Sequence, residues 1–470
     1  MRNRLRIGLV ALLLVSVGFL GYSWATSDVR ASESLYESAY DDGGQVVPDR
    51  PNHTAISINR RWQGTVASAL LVFTPEGGVA YHNDTHYVYA DVDPIPGTRS
   101  VFTISANLRA GETCQQYINR TEGRCTRNNF ERMWWNNGTT ETVYRESATN
   151  PGPRSSVNWH DADRLNSTHY LVADIAADRV FIVDVRTGEH TWTWDANQSY
   201  DPDSGGEYPG DWTHINDADM LHDGRVMASL RNQDSVVFIE PGEGIQENWT
   251  LGSDGDHDVM FEQHNPDYIP ASRGGPAVLV ADSENDRIVE YQRVDGTWEQ
   301  SWVWSDPRLE WPRDADRLPN GNTLIVDSNG GRVIEVDQSG EVVWSVPISL
   351  PYDAERIGTG DESAGGHSAT ALNLTSRIAS TDANRTTARN ESVVIDEKRS
   401  FQLERIFGLV LPDEQASLLA SGLQWTTPAW VLAEQIVAGF VALLTLLALV
   451  VTETVRVLRR RGVLDRVAVR

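Results

Sequence analysis

One six-residue phrase is written five times through the middle of this chain, and its spacing limits the fold more than any other feature. His160-Asp161-Ala162-Asp163-Arg164-Leu165 aligns with Asn216-Asp217-Ala218-Asp219-Met220-Leu221 and with Arg313-Asp314-Ala315-Asp316-Arg317-Leu318. Tyr352-Asp353-Ala354-Glu355-Arg356-Ile357 opens a further unit, and His264-Asn265-Pro266-Asp267-Tyr268-Ile269 is the divergent copy. Counted from Asp163, the acidic position recurs after 56, 48, 49 and 39 residues. Between copies each unit alternates turns with short apolar runs. After Asn320-Gly321-Asn322 come Thr323 to Asp327, then Arg332 to Asp337, Ser339-Gly340, and Val342-Val343-Trp344. The period is two, and Asn-Gly, Asp-Gly or Ser-Gly stands where a hairpin needs positive φ. Four short antiparallel strands in about 40–50 residues make one blade of a β-propeller. An earlier unit from Thr65 to Ile104, with Val88 to Asp93 as a strand, brings the count to about six blades. Trp192, Trp194, Trp249, Trp302, Trp304 and Trp344 fall at matching places and read as packing between blades.

Apolar segments flank the repeat. Arg2, Arg4 and Arg6 precede a hydrophobic run over 7–25, which reads as a transmembrane helix or a signal anchor. Ser23-Trp24-Ala25 has the small residues a signal peptidase needs, so cleavage and retention both stay open. The run over 428–451 is long enough to span a bilayer, with Trp425 and Trp430 at the outer interface. Arg456, Arg459, Arg460 and Arg461 follow in the tail 452–470; basic flanks mark the cytoplasmic side, which places 1–6 and 452–470 inside and the middle outside the cell. The expected class is therefore all-β, a propeller of about six blades over 64–363 with N-terminal and C-terminal transmembrane helices. Residues 26–63 lead in, 364–400 form a Ser/Thr/Gly-rich glycosylated linker, and 401–427 a juxtamembrane helix.

An extracellular middle agrees with ten Asn-x-Ser/Thr sequons, at Asn52, Asn83, Asn119, Asn137, Asn166, Asn197, Asn248, Asn373, Asn384 and Asn390, all between the two apolar runs. The two cysteines, Cys114 and Cys125, lie close together and read as a local disulfide. The formal net charge of −26 excludes nucleic acid as a natural partner. Sixteen tryptophans and regular Val/Ile runs argue against disorder. A folded surface kept soluble by carboxylates in concentrated salt fits better, as in a halophile.

Residues at matching repeat positions converge around a propeller's axis although they lie ~50 residues apart in sequence. His160, His214 and His264 all stand where the chain enters an inner strand, with Asn158 and Asn216 beside them; Arg231 lies one strand further on. Neutral imidazole is a nucleophile and a proton carrier, and arginine's fork matches the oxygens of sulfate or phosphate, so this set suits transfer of an anionic group. The plainer reading is that the histidines cap Asp side chains or strand ends. A metal site is a third reading, but no His-x-His or His-x-x-x-His pair anchors one. No Gly-rich, Lys-containing phosphate loop appears, and the single lysine, Lys398, lies outside the repeat, so no nucleotide cofactor is expected.

Trp212-Thr213-His214-Ile215-Asn216, Ser229-Leu230-Arg231, Gln263-His264 and the run Arg313 to Leu324 resemble the arylsulfate sulfotransferase family, in its membrane-anchored haloarchaeal branch. The resemblance covers roughly residues 64–363. It implies a six-bladed propeller that moves a sulfuryl group from an aryl sulfate donor to a phenolic acceptor through a sulfated histidine, with no cofactor. It further implies His264 as nucleophile, His214, Asn216 and Arg231 as holders of the sulfuryl oxygens, and His160 as acid or base. The competing reading is a non-catalytic surface propeller that binds a glycan or a protein.

Overall fold

A computed structural model describes residues 2–26, 28–59, 68–110, 124–149, 158–208, 210–378, 407–409, 411–426, 431 and 433–460. Residues 32–398 form one compact unit; residues 1–31 and 399–470 form another.

The larger unit is a ring of six antiparallel sheets, a six-bladed β-propeller. Each sheet runs outward from an inner strand: blade two, for example, orders Val88–Pro94, Ser100–Ala110, Arg124–Trp134 and Thr139–Thr149 from the axis to the rim. Blade one closes the ring with strands from both ends of the repeat. Its inner strand is Pro351–Arg356, followed by Thr54–Ile58, Ala69–Phe73 and Val79–Asn83. The unit read as Thr65 to Ile104 is thus divided between two blades. The reason is that blade one takes its acidic phrase from Asp353 to Glu355, while Thr54–Ile58 carries none. Middle strands such as Ala277–Asp282 are buried throughout because adjacent blades cover both faces, whereas the rim strand Glu189–Asp195 alternates in exposure. The tryptophans pack between blades as expected. Trp302 and Trp304 are fully buried, and Arg317 from the next blade stacks on Trp302 while pairing with Glu290 at 3.1 Å. Arg356 repeats this on Trp344 and Glu335 one blade later.

The Asp-Ala-Asp phrase recurs because its first carboxylate ties one blade to the next. Asp91 accepts from Ala162 N at 3.3 Å, Asp161 from Ala218 N at 2.8 Å, Asp314 from Ala354 N at 3.4 Å and Asp353 from Val92 N at 2.6 Å. Blade five breaks the series on both sides. Asp217 faces Pro266, which has no N–H, and Asp217 Oδ1 is left without a partner. Asn265 replaces the carboxylate itself, and its Oδ1 is also unpartnered.

In the smaller unit, helices Arg2–Ala25 and Ala433–Arg460 are each long and apolar enough to cross a membrane, by length and composition. Arg6 Nε lies 3.0 Å from Glu453 Oε1, so the start of one helix meets the end of the other. Helix Asp413–Thr426 lies between them in sequence.

Of the sequons, Asn52, Asn137, Asn166, Asn197, Asn248 and Asn373 are exposed and Asn83 is half-buried; Asn119, Asn384 and Asn390 lie outside the described residues. Cys125 is buried and no free thiol stands among the described residues, which do not include Cys114.

Candidate active site at the channel mouth

Two backbone devices bring the candidate residues to one end of the channel. The first is a β-bulge repeated in the inner strands. The register shifts between Tyr89 and Val92, Ile215 and Asp217, Pro312 and Asp314, and around Tyr352; in blade five it shifts between His264 and Asp267. A bulge sets two residues against one and re-aims a side chain that would otherwise point into the blade. The residue before the first aspartate is skipped in four blades, at Ala90, Asn216, Arg313 and Tyr352. In blade five Asn265 and Pro266 are skipped and His264, at the same repeat position, pairs with Ala281; His160 holds that position in blade three. The second device lies two residues earlier. His214, Glu262, Trp311 and Leu350 all have φ between 47° and 51°, a left-handed conformation that is rare for non-glycine residues. Turn aspartates of the preceding blades hold this entry in place: Asp178 Oδ1 accepts from Thr213 N at 3.1 Å, Asp234 Oδ1 from Glu262 N at 2.9 Å and Asp286 Oδ1 from Trp311 N at 2.7 Å.

All five residues singled out from the sequence meet here. The His160 and His214 rings are 5.3 Å apart, edge to face. Arg231 Nη1 lies 3.2 Å from His214 Nδ1, which is also 2.8 Å from Asp211 Oδ1. Arg231 Nη2 is ion-paired with Glu262, whose backbone oxygen is 3.2 Å from His264 Nδ1. Asn216 Nδ2 donates to Gln263 O at 2.8 Å, and its Oδ1 is buried without a partner.

The bonding fixes the tautomers. Ser283 Oγ donates to Pro312 O at 2.7 Å, so it accepts from His264 Nδ1–H at 2.8 Å, and Nε2 keeps the lone pair. His160 does likewise, its Nδ1–H donating to Asn158 O at 3.0 Å. Both rings are held neutral. Burial pushes His160 down to about 3, helped by His214 and Arg313. Burial, then Arg313, Arg231, His214 and His160, holds His264 well below the usual histidine range. An anion entering between these groups would meet two arginines and few water molecules.

Sequence reasoning passed over Arg313 and Tyr352 as candidates. Arg313 lies between two aromatic faces, its guanidinium carbon 4.6 Å from the Trp311 ring centre and 4.7 Å from that of Tyr352. Tyr352 is buried, 5.8 Å from the His160 ring, and its hydroxyl has no partner. Both occupy the repeat position of His160 and His264, so the alignment itself held the signal. Trp311 meets the His264 ring edge to face at 5.3 Å and forms an aromatic wall. Groups able to hold a metal lie deeper: Asp93, Asp163 and Asp361, and Asp267, Asp316 and Glu362.

Residues 160–273 match the arylsulfotransferase (ASST) family, a segment that holds His160, His214, Asn216, Arg231 and His264. No curated protein matches the chain. Similar solved structures include a protein of unknown function from Bacteroides caccae, 12% identical, with a TM-score of 0.42 over 65% of this chain and 98% of that one. A periplasmic gluconolactonase of Pseudomonas aeruginosa is 14% identical, with a TM-score of 0.42 over 65% and 99%. An inactive variant of virginiamycin B lyase from Staphylococcus aureus is 8% identical, with a TM-score of 0.38 over 66% and 89%.

Proposed function

We propose that the chain is a membrane-anchored aryl sulfotransferase that works outside the cell, in concentrated salt, without a nucleotide. The observation that carries this reading is the neutral His264 ring, its Nδ1–H held by Ser283 and Glu262 O, amid His160, His214, Arg231 and Arg313. The match of residues 160–273 to the arylsulfotransferase family supports it.

In the first half-reaction, His264 Nε2 attacks the sulfur of an aryl sulfate, the sulfur–oxygen bond to the ring breaks, and the phenolate leaves with that electron pair. The ring becomes a cationic N-sulfoimidazolium, and the oxygens of Ser283 and Glu262 facing Nδ1–H stabilise the new charge. A sulfate ester carries one negative charge, so a neutral imidazole approaches it without strong repulsion. The arginines and His214 hold the equatorial oxygens. In the second half-reaction a phenol attacks the same sulfur, the nitrogen–sulfur bond returns its pair to Nε2, and His160 takes the phenolic proton and then releases it to solvent, which restores both neutral rings. The ester's charge raises the proton affinity of both imidazoles while it is bound.

The test uses the full chain in detergent and molar salt. 4-Nitrophenyl sulfate should release nitrophenolate catalytically only when a second phenol is present. Without acceptor, one turnover should leave a sulfate on the peptide containing His264, seen by mass spectrometry. His264→Ala should abolish both signals. A folded wild type that is inactive with several phenols would favour the non-catalytic binding propeller instead.

A further inference from the structure

Roughly 7–10 Å along the inner strands from the histidines, the channel becomes acidic. Asp267 of blade five, Asp316 of blade six and Glu362 of the loop after Arg356 each offer an oxygen there, all within 4.8 Å of one another. The loop is secured in that position. Glu362 N donates to Glu355 Oε1 at 2.6 Å, and Ser363 Oγ bonds Asp267 while accepting from Arg317 N at 2.6 Å. Asp316 is 1% exposed, and neither of its carboxylate oxygens has a hydrogen-bond partner. The adjacent Arg317 turns away to Glu290 and Thr323. Among the described residues no cationic side chain forms an ion pair with Asp267, Asp316 or Glu362.

A buried carboxylate without donors loses its hydration and gains nothing in return. A proton would remove the charge but would still leave the oxygens of Asp316 without donors. A hard cation satisfies all three groups at once. Calcium takes six to eight oxygens at about 2.3–2.6 Å, so ligands on opposite sides of it stand roughly 5 Å apart, which suits this spacing. The absence of sulfur and nitrogen from the set disfavours zinc and copper, and magnesium demands a tighter octahedron and keeps its waters. The location gives the ion a purpose. Blade five is where the Asp-to-backbone ring is interrupted, with Asn265 in place of the carboxylate that would reach blade six. An ion between Asp267 and Asp316 joins those same two blades.

We propose that Asp267, Asp316 and Glu362 bind a calcium ion that fastens blade five to blade six and holds the loop after Arg356 in the channel. The full chain, in detergent and molar KCl, is stripped with chelator, dialysed against CaCl2 at constant ionic strength, and assayed for bound metal and melting temperature. Wild type should retain calcium and melt several degrees higher than the stripped protein. Asp316→Asn and Glu362→Gln should each hold one calcium fewer per chain and lose most of that thermal response. Without calcium, Asp316→Asn should melt no lower than wild type, because it removes a repelled carboxylate; Glu362→Gln, on a loop, serves if the strand variant fails to fold. Wild-type calcium content and melting in both variants would overturn the proposal. So would a stripped protein that neither takes up calcium nor changes its melting, or one to which magnesium gives an equal shift.

Discussion

Ser283 Oγ stands 2.8 Å from His264 Nδ1, and the direction of that bond is set from its far side, where the same hydroxyl donates to Pro312 O at 2.7 Å. The chain of donors runs one way, from His264 to Ser283 to the backbone of blade six. It leaves Nε2 as the basic nitrogen.

Ser283→Ala should therefore weaken the control of the tautomer without removing the ring. Glu262 O remains at 3.2 Å as a poorer acceptor. Loss of one neutral hydrogen bond, about 1 kcal/mol, corresponds to roughly fivefold, and more where the bond faces a developing cation. We expect a ~5–50-fold slower enzyme-sulfation step in single-turnover kinetics, with little change in melting temperature. An unchanged step would mean that the tautomer does not depend on Ser283.

The two arginines should differ. Arg231 is ion-paired with Glu262, with Asp211 at 4.0 Å, and Arg313 lies between the rings of Trp311 and Tyr352 and bears first among the charged groups on His264. Arg313→Lys keeps the charge but loses the planar fork and the stacking, so kcat/KM for 4-nitrophenyl sulfate should fall by ~10²–10³. Arg231→Lys should cost less. A twofold effect or smaller at Arg313 would remove it from the transfer step.

Much of this site was legible because propeller symmetry turns distance in sequence into proximity in space. Aligning Asp163, Asp219, Asp267, Asp316 and Glu355 was sufficient to put His160, Asn216 and His264 at one mouth. The same alignment contained Arg313 and Tyr352, but attention to histidines left them as framework. Ser283 and Glu262 were passed over in the same way, since Asp282-Ser283 matches Asp327-Ser328 and Glu262 holds the repeat position of His214; Asp211 was out of reach because its turn carries no repeated phrase. The closing of blade one was hidden too, since Thr54–Ile58 carries no acidic phrase and its pairing with Pro351–Arg356 joins strands about 300 residues apart in sequence. The need for the second acidic position was equally invisible, because it shows only once Asp316 is seen buried without donors.

The buried carboxyls of the propeller give stability a pH dependence of unusual sign. Burial raises Asp91 to about 7 and Asp267 and Asp282 to about 6. A carboxyl with a raised folded pKa binds its proton more tightly folded than unfolded, so it stabilises the fold at low pH and loses that contribution as pH climbs from about 4 to 7. His160, lowered to about 3, acts oppositely and costs stability as pH falls below about 6.5. The raised carboxyls outnumber the lowered histidines. Calcium-free protein in molar KCl, where surface repulsion is screened, should melt at higher temperature at pH 6 than at pH 8. Asp91→Asn should flatten the slope. A melting temperature that falls from pH 8 to pH 6 would contradict this account.

The Arg6–Glu453 pair bears on whether the N-terminal helix stays with the protein. An ionised side chain in an otherwise apolar helix is costly unless it is paired, and Glu453 lies near the end of such a helix. Arg6 sits at the start of the other, so the pair brings the start of the first helix next to the last turns of the second, where Arg456 follows Glu453. On the rule that basic residues flank the cytoplasmic side, both ends are expected inside and the propeller, with its exposed sequons, outside. The expected outcome is that intact-mass measurement of the detergent-extracted protein finds the residues before Ala25 still attached, and that protease added to whole cells removes the propeller while sparing both ends. Glu453→Gln should leave this orientation unchanged but weaken the association of the two helices. A mature protein beginning after Ala25 would exclude the pair from the working molecule and leave the C-terminal helix as its sole anchor. Protection of the propeller from protease would reverse the orientation altogether.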